Sequence, residues 1–118
     1  MITIEELKEI LFKVYDKSTV HYKYKSNWTK SNPTYGQCVP TSLLVQYYFG
    51  GDIYKHNIEF HYYNVIDGKV FDLTSDQFGY ELDYSLGKKK ELIMSQSTTQ
   101  ERFDILKNKV ENYLEDIK

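Results

Sequence analysis

The sequence predicts an α+β domain in which a core helix opened by the lone cysteine packs on an antiparallel sheet, with a further helix at each end of the chain. Three observations carry this reading. Leu43, Leu44, Val45, Tyr47, Tyr48 and Phe49 form an apolar run long enough for a core helix, closed by Gly50-Gly51. Residues 58–66 and 69–74 are two strand-like runs joined by Asp67-Gly68, the strongest short-range hairpin signal. Apolar residues recur at helical spacing near both termini. A chain of 118 residues is the size of one domain, so 1–118 is read as a single unit with one core.

In chain order, Thr3 can cap a helix whose Ile4, Leu7, Ile10, Leu11 and Val14 share a face, with Glu5 and Glu6 at its positive end. That helix should end between residues 15 and 17, and residues 18–34 show no sustained period. His21-Tyr22-Lys23-Tyr24-Lys25 alternates basic and aromatic residues, a pattern that can stack on bases. The net charge of −2, from 15 basic and 17 acidic side chains, gives no basic excess for a nucleic acid or an anionic membrane. The stretch is therefore read as a surface strand or loop flanking the site. Trp28 is expected to anchor that loop, with a place in the substrate cleft as its functional reading. Residues 52–57 read as a short strand and turn, and 75–79 as a turn or short helix. Residues 80–87 suit a short strand or extended loop, and Lys88-Lys89-Lys90 a solvated turn. Glu91-Leu92-Ile93-Met94 suits an edge strand or loop plug. Thr98 and Glu101 have the spacing of a capping box for a last helix, whose Phe103, Leu106, Val110, Tyr113, Leu114 and Ile117 form its apolar face.

Pro40 locates the chemistry. Proline is tolerated in the first helical turn, where its missing N–H would have had no intrahelical partner, so the core helix must begin within a residue or two of Cys38. A helix N-terminus favours thiolate over thiol, which makes Cys38 the candidate nucleophile; the competing reading is a free cysteine packed as a small hydrophobe. The hairpin supplies candidate partners. A two-residue turn at Asp67-Gly68 pairs residues whose numbers sum to 135, placing Tyr63 opposite Asp72 and His61 opposite Thr74. His61 and Asp72 are then diagonal neighbours on one face, where a carboxylate can fix an imidazole tautomer. The competing reading is a half-exposed histidine in an ordinary hairpin.

The pattern Asn-Pro-x-x-Gly-Gln-Cys, then Thr-Ser-Leu-Leu-Val-Gln-x-Tyr-Phe-Gly-Gly, then His-Tyr-x-Asn-x-x-x-Asp-Gly-x-x-x-Asp-Leu-Thr-x-x-Gln-Phe, resembles a YunG-like family of small bacterial proteins over residues 32–78. These look like minimal members of the papain-like and transglutaminase-like thiol superfamily, in which a cysteine opens a core helix and a histidine and an Asp or Asn come from successive strands. The resemblance implies a papain-like core with Cys38 as nucleophile, His61 as general base and Asp72 as its orienting group. Papain-type enzymes place an oxyanion-donating glutamine several residues before the cysteine. Here Gln37 is adjacent and Asn32 stands six before, so both are candidate donors beside the Cys38 amide. Tyr63 stands where the transglutaminase core has a tryptophan, and the cleft is expected to include Trp28, Tyr35, Tyr63 and Gln37.

The expected activity is thiol-dependent acyl transfer on a peptide, amide or thioester, with hydrolysis as the default. The alternative is a non-catalytic protein-binding module, with a protein partner or a homodimer on a tyrosine-rich surface. No cofactor is implied. The lone cysteine excludes an internal disulfide, and His21, His56 and His61 lack metal-ligand spacing, so no metal is expected. Acidic residues near the N-terminus and the lack of a long apolar run predict no signal peptide, no membrane span and a cytoplasmic location.

Overall fold

The computed structural model describes residues 2–92, 94–96 and 98–117. Among them are helices α1 (Ile4–Val14), α2 (Cys38–Phe49) and α3 (Thr99–Asp116), and strands β1 (Asp52–Lys55), β2 (Tyr62–Ile66), β3 (Lys69–Phe71) and β4 (Lys88–Lys89). The strands form one antiparallel sheet in the order β3-β2-β1-β4. The architecture is α+β.

Thr3 begins α1 with a complete capping box, its hydroxyl accepting from the Glu6 amide at 3.1 Å while the Glu6 carboxylate accepts from the Thr3 amide at 2.9 Å. Leu7, Ile10 and Leu11 enter the main core with Tyr15, Val20, Trp28, Leu44, Val45, Leu73, Leu106 and Val110. α2 starts at Cys38 with Pro40 in its first turn, and its first two turns are buried from Pro40 through Val45. It packs against α3, β1 and β2, so both faces of the helix meet protein. A second, smaller cluster of Cys38, Leu43, Ile53 and Tyr62 joins α2 to the sheet.

The hairpin keeps the expected register, with Ile66 opposite Lys69, Val65 opposite Val70 and Asn64 opposite Phe71. Asp67 and Gly68 both have positive φ, 51° and 78°, as a type I′ turn requires. The strands are shorter than predicted. His56 Nδ1 accepts the amides of Ile58 and Glu59 at 3.1 and 3.0 Å, which bends residues 57–60 out of the strand. At the other end, Asp72 Oδ1 accepts the Thr74 amide at 3.3 Å and the chain turns into a 3₁₀ segment, Ser75–Gln77. The expected pairs of Tyr63 with Asp72 and His61 with Thr74 therefore do not form.

Three other expectations are corrected. Lys88 and Lys89 are an edge strand, opposite Lys55 and Tyr54, because a lysine-bearing edge pairs through backbone alone while its charges stay in water. Thr98 does not make the predicted capping box: its hydroxyl accepts from Arg102 Nε at 3.0 Å instead of from the helix backbone. Ile117 lies 61% exposed, off the buried face of α3. Residues 80–87 form an irregular loop. Of the segment read as an edge strand or plug, Leu92 and Met94 pack on the smaller cluster and Ile93 lies outside the described residues.

Candidate active site

Cys38 is the first residue of α2, and the N-cap before it is Gln37. Pro40 has no N–H, so the open donors of this helix end are the amides of Cys38 and Val39, while Thr41 already bonds to the Gln37 carbonyl at 3.1 Å. Gly36 sets the approach. Its φ is +71°, and a Cβ there would stand 2.7 Å from Val20 Cγ1, so only glycine fits.

His61 lies just before β2, 1% exposed. Its Nε2 is 2.7 Å from Asp72 Oδ2. Cys38 faces the same ring. Burial acts to lower the imidazole pKa, but the hydrogen bond to Asp72 and then the interaction with Cys38 outweigh it and raise the value to about 9. Asp72 is held in turn: Tyr84 donates its hydroxyl to Oδ2 at 2.7 Å, and Oδ1 accepts from the Thr74 amide. Burial, then the bond to Asp72, holds the Tyr84 phenol well above its ordinary range, so it stays a donor. Phe78 packs edge-on against the His61 ring at 4.9 Å between centroids. The Gln77 amide nitrogen is 3.5 Å from Nδ1 and donates to the Thr74 carbonyl at 3.0 Å.

A cleft of about 570 Å³ opens beside this group, with Tyr35, Gly36, Cys38, Val39, Gln77 and Phe78 in its wall. That volume suits a small ligand or a short peptide segment. Of Cys38, His61 and Asp72, only Cys38 lines it.

The YunG protein family model matches residues 3–115. The chain belongs to the YunG family. It is 44% identical over 61 residues to the uncharacterized protein YunG of Bacillus subtilis (strain 168), an overlap covering 50% of this chain and 53% of that protein. The match thus spans about half the length of this curated relative. No solved structure matches the chain. No described helix is long and apolar enough to cross a membrane.

Within this YunG-family chain, the structure brings Cys38, His61 and Asp72 together and disperses most of the expected cleft. Gln37 is fully buried, its Oε1 accepting from Thr19 Oγ1 at 2.6 Å and its Nε2 donating to the Asp16 carbonyl at 3.0 Å; its side chain is held inside the protein and does not line the cleft. Asn32 sits in a turn bridged to Thr29, away from the cleft. Trp28 belongs to the main core, with Nε1 donating to the Pro33 carbonyl at 3.0 Å, and is a loop anchor. Tyr63 is 1% exposed and packs on Tyr84 at 4.7 Å, so it supports the Asp72 side of the site without lining the cleft. Tyr35 is in the wall as expected, and so are His21, Lys23 and Tyr24 of the basic and aromatic stretch.

Gln77, Tyr84 and Arg102 are among the residues of the site that escaped the sequence reading. Gln77 and Tyr84 come from irregular segments, where no periodicity says which way a side chain points. Arg102 carried a usable signal: it precedes Leu106 and Val110 at four-residue intervals, so it falls on the buried stripe of α3.

Proposed function

We propose that this chain is a thiol-dependent acyl-transfer enzyme, a minimal papain-like or transglutaminase-like hydrolase using Cys38, His61 and Asp72. The observation that carries the reading is the buried 2.7 Å pair of His61 Nε2 and Asp72 Oδ2, which leaves Nδ1 as the ring nitrogen for the cysteine side. Cys38 Sγ attacks the carbonyl carbon of an amide or thioester, and the thiol proton passes to His61. The imidazolium then protonates the leaving amine or thiol as the carbon–heteroatom bond breaks. Water, deprotonated by the same imidazole, cleaves the acyl-enzyme and restores the thiol. Asp72 holds the ring tautomer and offsets its positive charge. The amides of Cys38 and Val39 are the oxyanion donors, with the Gln77 carboxamide, 3.5 Å from Nδ1 and in the cleft wall, as the side-chain candidate.

Acylation by p-nitrophenyl acetate tests this. A burst of one p-nitrophenolate per chain, with acetyl on Cys38 by mass spectrometry and both lost in Cys38→Ala, supports the mechanism. Slow linear release that survives Cys38→Ala contradicts it. The protein-binding alternative draws on Ile58 and Phe60, 81% and 67% exposed, with Phe60 in the cleft wall. It predicts no burst.

A further inference from the structure

Arg102 is 4% exposed, yet it lies in the wall of the cleft that Cys38 lines. Its Nε donates to Thr98 Oγ1 at 3.0 Å, while Nη1 is buried without a hydrogen-bond partner. Among the described residues no carboxylate pairs with it. A guanidinium cannot shed its charge at ordinary pH, and an unpaired one in a buried wall is costly to keep. A bound anion would offset that cost.

The surroundings have the same sign. Lys23 and His21 share the cleft wall with Arg102. The His21 imidazole is held below its ordinary pKa by burial first and then by the charges of Arg102 and Lys23, so positive charge is already crowded there. Among the described residues, Glu59 is the one acidic residue of the wall, and its carboxylate accepts the Tyr80 hydroxyl. With Nε bonded to Thr98 Oγ1, the donors of Arg102 that remain without a partner are on its Nη side.

We propose that the cleft selects an acyl donor bearing a carboxylate, which Arg102 binds through its Nη edge while the acyl carbonyl faces Cys38. A carboxylate fits better than a phosphate, because the repulsion from Glu59 is greater for a dianion than for a monoanion. The proposal rests on the acyl-transfer reading for what happens at the carbonyl, but the anion preference is separately measurable.

The test compares the alkylation of Cys38 by iodoacetate, which carries a carboxylate, and by iodoacetamide, which is neutral, in wild type and in Arg102→Gln and Arg102→Lys. The iodoacetate-to-iodoacetamide rate ratio in wild type should exceed that of a free thiol by about tenfold or more, as expected for a charge-assisted hydrogen bond to an ion. It should fall about tenfold in Arg102→Gln and partly recover in Arg102→Lys, which keeps the charge but not the fork. An unchanged ratio, or equal slowing of both reagents in Arg102→Gln, overturns the proposal; equal slowing would mean that Arg102 acts on the sulfur alone. If Arg102→Gln does not fold, protection of wild-type Cys38 from iodoacetamide decides. Saturable protection by succinate, stronger than by inorganic phosphate and absent with succinamide, supports it, and any other order overturns it. Failure of the acyl-transfer reading shows elsewhere, as an iodoacetamide rate that does not depend on His61.

Discussion

Asp72→Asn removes one charge and little shape from the centre of the candidate site. The carboxylate touches His61 Nε2 and the Tyr84 hydroxyl, each at 2.7 Å, and an asparagine oxygen can keep both neighbours in place, at the loss of the weaker bond from the Thr74 amide to Oδ1. What it cannot keep is the preference for imidazolium. An opposite charge at this distance shifts a pKa by about 1–3 units, so the His61 value of about 9 should fall by that amount, helped by burial, which already acts to lower it. The same change appears in stability. The folded pKa of about 9 stands above the ordinary 6.5, so the contribution is fully present below pH 6.5 and is lost as pH rises through 9. At about 1.4 kcal/mol per unit, that rise corresponds to about 3 kcal/mol, of which Asp72→Asn should remove about 1–3 kcal/mol at pH 6. Between pH 6 and 9 the wild type should lose stability more steeply than the variant. Long-range ¹H–¹⁵N correlation of the His61 ring gives the titration midpoint, and urea unfolding at pH 6, 7.5 and 9 gives the stabilities. The same midpoint in both proteins would refute the reasoning, because it would mean that Asp72 does not set the charge of the ring.

Other perturbations separate packing from chemistry. Gln37→Ala should cost about 1–3 kcal/mol in urea unfolding, since it strands the Thr19 hydroxyl and the Asp16 carbonyl; in whatever fraction stays folded, the burst amplitude per folded chain should be unchanged. Gly36→Ala should lower stability by about 1–3 kcal/mol, because the added Cβ meets Val20 at 2.7 Å and φ is +71°; a thermal midpoint equal to wild type would contradict this. Tyr84→Phe should lower stability by about 1–3 kcal/mol by removing one donor from the buried Asp72 carboxylate, and should leave the His61 midpoint at or above its wild-type value.

The parts of this fold legible in the sequence are those fixed by local chemistry. Asp67-Gly68 set the hairpin register because a two-residue turn admits few pairings, and Pro40 placed the start of α2 because only a first turn accepts proline. Thr3 announced the start of α1 as a cap residue, with Glu5 and Glu6 at its positive end, and the structure adds the reciprocal bond from Glu6. Strand ends were less legible, since two side chains far from the turn, His56 and Asp72, capture the amides that would have continued the ladder. Gln37 was misplaced for a related reason. Its position beside Cys38 is visible in sequence, but its inward direction is decided by Thr19 and Asp16, about twenty residues earlier. Tyr84, on a loop packed under Tyr63, has no sequence pattern linking it to Asp72.

The central claim is that His61 acts on the Cys38 sulfur, and the rate of iodoacetamide alkylation against pH measures it most directly. An imidazolium beside the sulfur, together with a helix N-terminus, stabilises the negative charge that the attacking sulfur carries. At pH 6 the wild-type protein should react about tenfold faster than a free thiol, and His61→Ala should lose most of that advantage. Equal rates for wild type and His61→Ala across the range from about pH 5 to 8, spanning the ordinary histidine titration, would contradict the account.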